Sequence, residues 1–452
     1  MKNSIINAIE NLCGHAKFDI YVVRSSPEKK SLYSKKQKKN NKKENSNNYD
    51  MSNVLLLAAT KNKNKNKKDK SNNETIFNAG IFCNEYINVK EKKVILYISK
   101  IDTSGWETLE RQPLSLIRAL LLGYLRYYQN FYKNTGFSVT LHLYTRAKPN
   151  YLFPTSDDAN NTEKHVLTDS ELINWWIKTL SHYPKIFIPE KGYWYCPTGE
   201  RIGQMQTITK ENNNQDINNL LKSDTSVCQW TWGYPFIKTA LALETIPQFP
   251  DDPKNSLLHS EKRASLIHEK TTVRELFEYL AIENFSGSVS ACIILNIIEP
   301  KEEKTKKTAP KRTDIHLSIK EFNSLMDIVL SLNYALEQDS IDSSKTLHDY
   351  LQNLNKNKKI IHFSYEINKE LNTESEKNTN EPVMLNNLNS CIKRKNVNDL
   401  QGLIKKKKVN PSQESDKGIN DLQHLIKKKK VNPSQESDKS INNLQNLIKR
   451  KK

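Results

Sequence analysis

Two adjacent carboxylates, Asp251 and Asp252, stand between prolines in the stretch IPQFPDDPKNSLLH, with Ile246 and Phe249 before them and Lys254 just after. A fixed carboxylate can hold an ammonium by charge and accept or relay its proton. Flanking prolines restrict the backbone and lower the cost of keeping the acids in place. The same four residues also make a good surface turn with a helix N-cap, and taken alone that is the commoner role. The DTSG at 102–105 is likewise a good turn former, and the Trp-Trp at 175–176 reads first as helix packing. Lys254 can be an exposed lysine beside two acids, and His165 a packed or solvent-facing histidine.

Several other chemistries lack their motifs. No two of the twelve glycines have the G-x-G spacing, which argues against both a dinucleotide fingerprint and a P-loop. HEKTT at His268 lacks the second histidine of a zinc-protease helix, and there is no G-x-S-x-G elbow. The six cysteines show no C-x-x-C spacing, which argues against a zinc cluster and a disulfide framework and suits a reducing compartment.

The net charge of +19 over 452 residues is unevenly placed. Residues 27–73 carry 14 lysines against 4 acids, and 393–452 carry 17 lysines and arginines against 6 acids. These segments hold +10 and +11, so the remainder is close to neutral, at −2. A neutral core with basic arms points to polyanions or to acidic proteins that handle basic ones. The tail contains a 22-residue repeat, NDLQGLIKKKKVNPSQESDKGI then NDLQHLIKKKKVNPSQESDKSI, each unit too short to bury a core. No apolar run is long enough to span a bilayer, and the N-terminus is too polar for a signal peptide. An intracellular protein is expected.

The elements that must position the acids can be read from periodicity. SIINAIENL reads as a helix and FDIYVVR as a strand, with VLLLAAT at 54–60 a further strand. Two β-branched runs between 74 and 102 predict a hairpin. A 3.6-residue apolar period predicts a helix over 114–132, and alternation predicts a strand over 137–147. TDSELINWWIKTLSHY at 168–183 opens with a capping-box pattern. A helix is predicted at 271–284, a strand at 287–298 and a single helix at 318–338. The expected organisation is an N-terminal strand and helix of the main domain at 1–26 and a disordered Lys/Asn-rich insert at 27–73. The domain itself follows at 74–345, then a linker at 346–392 and a disordered basic tail at 393–452. The fold class is mixed α/β.

Four segments together say more: YISKIDTSGW, LYTRAKPNYLFP, EKHVLTDSELINWW and WTWGYPFIKTALALETIPQFPDDPK. In order and content they resemble the fungal Rtt-type histone acetyltransferases, a family related to the CBP coactivators. The resemblance covers about 90–290. It implies a CBP-like acetyltransferase fold, a mixed central sheet surrounded by helices, with acetyl-CoA as co-substrate and no metal. Ile101, Asp102 and Thr103 match residues lining the acetyl-CoA site, and the loop Glu110, Arg111, Gln112, Pro113 and Leu114 should pass the phosphates. That loop is less basic here than in the family, with Arg111 its single cation. Tyr144, Arg146, His165, Val166 and Leu167 match further cofactor contacts. Tyr151 and Trp176 match aromatics lining the channel where the thioester meets the lysine, Trp176 also touching the cofactor. Asp251 and Asp252 match the family's acidic pair, whose second member ranks first for catalysis, and Lys254 matches a lysine acetylated within the enzyme.

The chemistry is consistent with the residues. A lysine has an unperturbed pKa near 10.4 and must lose a proton before it attacks a thioester. Aromatic walls exclude water, favour the neutral amine and grip the lysine stem. The resemblance implies acetylation of newly made histone H3 (with H4), presented by acidic histone chaperones in replication- or repair-linked chromatin assembly. The basic clusters at 405–408, 427–430 and 449–452 look like nuclear import signals, or phosphate contacts that would give weak DNA binding. The alternative is a non-catalytic chromatin or histone adaptor that keeps the fold and binds through its arms.

Overall fold

In the computed structural model of the 452-residue chain, the described residues are 1–33, 48–61, 75–106, 112, 114–197, 228–252, 254, 269–283, 289–299 and 315–369. One sheet of ten strands organises them. The N-terminal part supplies α1 (Lys2–Ile9), β1 (Gly14–Arg24), β2 (Glu28–Ser31), β3 (Asn48–Lys61), β4 (Thr75–Asn88) and β5 (Lys93–Thr103). Then come α2 (Leu116–Tyr132), β6 (Ser138–Thr145), α3 (Asp169–Ser181), β7 (Lys191–Tyr195) and β8 (Gln229–Trp232). The chain continues through α4 (Ala242–Thr245), α5 (Val273–Glu283), β9 (Ala291–Ile298), α6 (Ile319–Ser331), α7 (Glu337–Lys356) and β10 (Ile361–Lys369).

The strand order is β10-β1-β3-β4-β5-β6-β9-β7-β8, with β2 beside β3. Neighbours run antiparallel except β5 with β6 and β7 with β8. The parallel pair β5–β6 requires a crossover, and α2 makes it. Its residues are apolar on most sides, and eleven of its seventeen are buried. Gly123 sits where α1 crosses α2: a Cβ there would lie 2.7 Å from Ile5 Cα and 2.9 Å from the Ser4 carbonyl, both backbone. The two helices approach closely because that position has no side chain.

The sheet is buried on both faces. α1, α2 and α3 cover one face with Ile5, Leu120, Leu121 and Trp176. α6 and α7 cover β1, β3 and β4 with Phe322, Leu325, Leu347 and Leu351. An aromatic cluster of Tyr86, Tyr97, Tyr144, Phe249 and Phe277 fills the third region.

The expected mixed sheet flanked by helices is present, as are the hairpin expected at 74–102, formed by β4 and β5, and the α2, β6, α3, α5 and β9 segments. Three expectations differ. The Lys/Asn-rich stretch 27–73 contributes β2 and all fourteen residues of β3, whose Val54–Thr60 core is buried between β1 and β4. The sheet also extends past residue 345, because β10 pairs with β1 from Gly14↔Lys369 to Val22↔Ile361. The single helix at 318–338 is two helices. Ser343 Oγ accepts the Asn333 N–H (3.0 Å) and donates to the Asn333 carbonyl (2.7 Å), and Tyr334 N–H donates to the Pro154 carbonyl. These bonds hold the connection outside either helix. The basic repeat tail and most of the charged insert lie outside the described residues.

Candidate active site

Because β5 and β6 are parallel neighbours in register (Tyr97↔His142), their C-terminal ends emerge side by side. Ligand crevices in α/β sheets form at such carboxyl ends. A cavity of about 480 Å³ opens there. β5 contributes Ile101, Asp102 and Thr103, and β6 and its exit contribute Tyr144, Arg146, Ala147 and Lys148. The next loop contributes Tyr151, Lys164, His165, Val166 and Leu167; α3 contributes Leu172, Trp175 and Trp176; Asp251 closes one side.

Asp102 fixes this geometry. Its Oδ2 accepts the N–H groups of Tyr151 (2.7 Å), Leu152 (2.8 Å) and Phe153 (3.2 Å). Its Oδ1 accepts from its neighbour Thr103 N–H (2.9 Å) and from Lys164 Nζ (2.6 Å). Both side chains of that ion pair are buried, and Lys164 also donates to the Thr103 carbonyl. One carboxylate thus ties the end of β5 to the 151–153 turn and to the 164–167 wall. The Tyr151 hydroxyl donates to the Arg146 carbonyl at 2.7 Å, and burial pushes its pKa up to about 12. It is therefore a fixed, neutral wall.

α3 begins with the predicted capping box, Thr168 and Glu171 each satisfying the other's backbone N–H. The cap sets the helix so that Trp175 and Trp176 meet edge to face at 5.0 Å, with the Arg118 guanidinium 5.5 Å over the Trp175 ring.

The acidic pair separates. Asp251 is half exposed on the cavity wall, where Ser99 Oγ donates to it at 3.0 Å and Lys100 Nζ bonds the same oxygen. Ser99 and Lys100 are consecutive, and regular alternation would send them to opposite faces. A bulge between Phe82 and Cys83 in the β4–β5 register leaves Ser99 unpaired and re-aims both toward one carboxylate. Burial alone would raise the Asp251 carboxyl, but Lys100 and Ser99 bring it below its ordinary value.

Asp252 is not on the cavity wall. It is buried, its Oδ1 accepting the Lys254 N–H at 2.9 Å and its Oδ2 bonding Lys254 Nζ. That ammonium lies 4.2 Å over the Tyr144 ring, which itself lines the cavity, and burial pushes its pKa well below the lysine range. Behind it, burial and the neighbouring Lys254 charge push the His142 imidazole down to about 3, so it is neutral.

Of the expected site residues, Ile101, Asp102, Thr103, Tyr144, Arg146, Tyr151, His165, Val166, Leu167, Trp176 and Asp251 share the one cavity. Gln112 does not: its side-chain amide pairs with the Cys13 backbone (2.8 and 3.0 Å), and Leu114 is buried in the core. Glu110, Arg111 and Pro113 lie outside the described residues. Sequence reading assigned no role to Ser99, Lys100, Lys148, Lys164, Leu172 or Trp175. Most of these sit within a residue or two of positions it named, but their roles depend on the bulge and on a 62-residue separation between Lys164 and Asp102.

A mixed sheet whose parallel strand ends hold a cavity lined by apolar side chains, cations and the exposed carboxylates Glu163 and Asp251 defines an α/β protein built to place a ligand against acids. Residues 116–350 match the family model described as the histone acetyltransferase KAT11-type domain, more than half of the chain, and the chain belongs to that family. Among curated proteins, it is 29% identical over 186 residues to the histone acetyltransferase rtt109 of Schizosaccharomyces pombe, covering 40% of this chain and 46% of that one. It is 34% identical over 99 residues to rtt109 of Aspergillus flavus, covering 22% and 17% respectively. It is 24% identical over 213 residues to RTT109 of Candida albicans, covering 47% and 52%. These matches span about half or less of those relatives. The crystal structure of Rtt109 from Aspergillus fumigatus shares the fold, with a TM-score of 0.60 and 17% identity, covering 81% of this chain and all of that one.

Proposed function

We propose that the protein transfers the acetyl group of acetyl-CoA to a lysine of newly made histone H3. The observation that carries this reading is the cavity at the ends of β5 and β6, with an apolar stretch, cations and a half-exposed carboxylate on one wall. Arg146 and Lys148 suit the anionic phosphates of the co-substrate, while Ile101, Leu167, Leu172 and Trp176 suit its apolar arm. The thioester is already activated and supplies the acyl group. The chain's residues hold and dehydrate the incoming lysine.

Asp251 serves in this reading as the charge that draws the ammonium in. Moving a proton from an amine of pKa about 10.4 to a carboxylate of about 3.9 is uphill by roughly 9 kcal/mol. Asp251 lies below that ordinary value. It is an electrostatic anchor, and the aromatic walls shift the lysine toward its neutral form. Asp252 acts through Lys254 and the loop backbone, holding the 251–254 turn in place. Acetylation of Lys254 itself would replace a buried ammonium by a neutral amide.

The substrate is taken to arrive on an acidic histone chaperone in the nucleus, during replication- or repair-linked chromatin assembly, with the basic tail offering weak DNA contact. The 74–345 span, with the strands before it and β10 after it, forms the proposed catalytic domain. The test is incubation of the purified chain with labelled acetyl-CoA and chaperone-bound H3–H4. Label on H3, reduced in Asp251→Ala at sub-saturating histone, supports the reading. No transfer, or transfer untouched by that variant, refutes it.

A further inference from the structure

A second cavity, of about 500 Å³, lies on the β7–β8 side of the sheet between the end of β8 and α5. Its size is within the range of ligand sites, and none of its lining residues takes part in the first cavity. Tyr234 stacks on Phe277 (3.9 Å, 9°), and Tyr195 stands edge-on to both, at 5.6 and 5.2 Å. These rings form a rigid floor. Trp232 remains 40% exposed beside them, and Gly233, at φ +118°, turns the chain so that Trp232 and Tyr234 face the same space. Ile237, on the same segment, is 73% exposed. Trp232 and Ile237 thus leave apolar surface exposed at the mouth of a packed aromatic floor, an arrangement that suits an interaction site.

Charge selects the occupant. Lys238 is exposed at the rim and makes no ion pair among the described residues. Arg274 pairs with Glu278 at 2.8 Å, but both are largely exposed, and such a pair is held weakly. The rim is net positive, and the rings pack against one another instead of enclosing a cation on three sides. This disfavours an ammonium ligand and favours carboxylates next to an apolar side chain.

We propose that this cavity docks an acidic peptide segment of a partner protein, one apolar side chain seated against Trp232 and Tyr234 and its carboxylates on Lys238 and Arg274. Across β6, β9 and β7 the register sets Tyr144, Cys292 and Tyr195 side by side, so the docked segment lies roughly two strand spacings, about 10 Å, from the first cavity. The inference concerns binding alone and does not depend on acetyl transfer.

The test is fluorescence anisotropy of the full chain with a labelled peptide, Glu-Asp-Glu-Leu-Phe-Glu-Asp, at low salt. Saturable binding is expected, weakened at least about tenfold by Lys238→Glu and by Trp232→Ala. Replacing Leu and Phe of the peptide by Ser abolishes it. Lys238 is exposed, so its variant keeps the fold even where the tryptophan variant does not. The proposal is overturned by absence of saturable binding or by binding indifferent to Lys238→Glu. Tighter binding of a trimethyllysine peptide overturns it as well.

Discussion

Replacing Asp102 by asparagine keeps the shape and removes one charge, which isolates what that charge does. In the native chain the carboxylate accepts three loop N–H groups through one oxygen and the buried Lys164 ammonium through the other. Asparagine retains one acceptor oxygen but offers an N–H₂ group where the other stood. Either Lys164 or the loop N–H groups then lose their partner. Leaving a buried charge unpaired costs about 3–5 kcal/mol. Lys164 keeps its bond to the Thr103 carbonyl, which places the expected loss at the lower end, about 3 kcal/mol. Lys164→Met alone leaves the carboxylate with its four backbone donors, Thr103 and residues 151–153, and costs less, about 1–2 kcal/mol. The double variant should therefore lose less than the sum of the two, with a coupling of about 1–2 kcal/mol. Urea unfolding of the four proteins, followed by tryptophan fluorescence, measures this. Additive losses, or an Asp102→Asn cost under about 0.5 kcal/mol, would show that the pair does not hold the cavity wall together.

The remaining predictions concern the acids and their partners. Asp251→Asn should raise KM for the histone about tenfold while changing the acetyl-CoA Kd less than twofold, since its charge faces the ammonium; steady-state kinetics and calorimetry separate the two. Because Lys100 and Ser99 hold the Asp251 carboxyl below its ordinary value, its negative charge is lost only as pH falls through that lowered value, well away from the titration of the substrate amine. The pH profile of kcat/KM between 5 and 9 should accordingly rise with the substrate amine and show no limb from Asp251; a fall below pH 6 of unit slope in wild type that disappears in Asp251→Asn would contradict this. Lys254→Ala should destabilise the protein by about 3–5 kcal/mol by leaving Asp252 buried and unpaired, whereas Asp252→Asn with Lys254→Met should recover most of that in thermal unfolding.

Much of the frame was legible because its signals are local. The apolar period of α2, the alternation of β6 and the Thr168–Glu171 cap each lie within one window of sequence. The core of β3 is legible as the strand at 54–60, but its flanks are Asn- and Lys-rich, and only the pairing with β1 and β4 carries it to fourteen residues. α7 was hidden for another reason: it buries Ser340, Ser343 and Ser344, small polar residues that give no apolar stripe. Ser344 Oγ accepts the Phe77 N–H of β4 at 2.9 Å, a bond no periodicity announces.

The site shows the same division. Its wall residues fall in quotable stretches, but sequence cannot say which of two neighbouring aspartates faces the cavity. That choice rests on the Ser99 bulge, which gathers Ser99 and Lys100 on Asp251, and on the Tyr144–Phe249 pocket, which takes Lys254 and with it Asp252. Both are contacts between segments roughly 100–150 residues apart, beyond the reach of spacing arguments.

The central claim is that the ends of β5 and β6 enclose the acetyl-CoA site. Calorimetric titration of acetyl-CoA into the full chain and into Arg146→Glu tests it most directly. One molecule bound per chain, weakened at least about tenfold by the charge reversal, is the predicted result. No heat of binding, or an affinity that the substitution leaves unchanged, would contradict it.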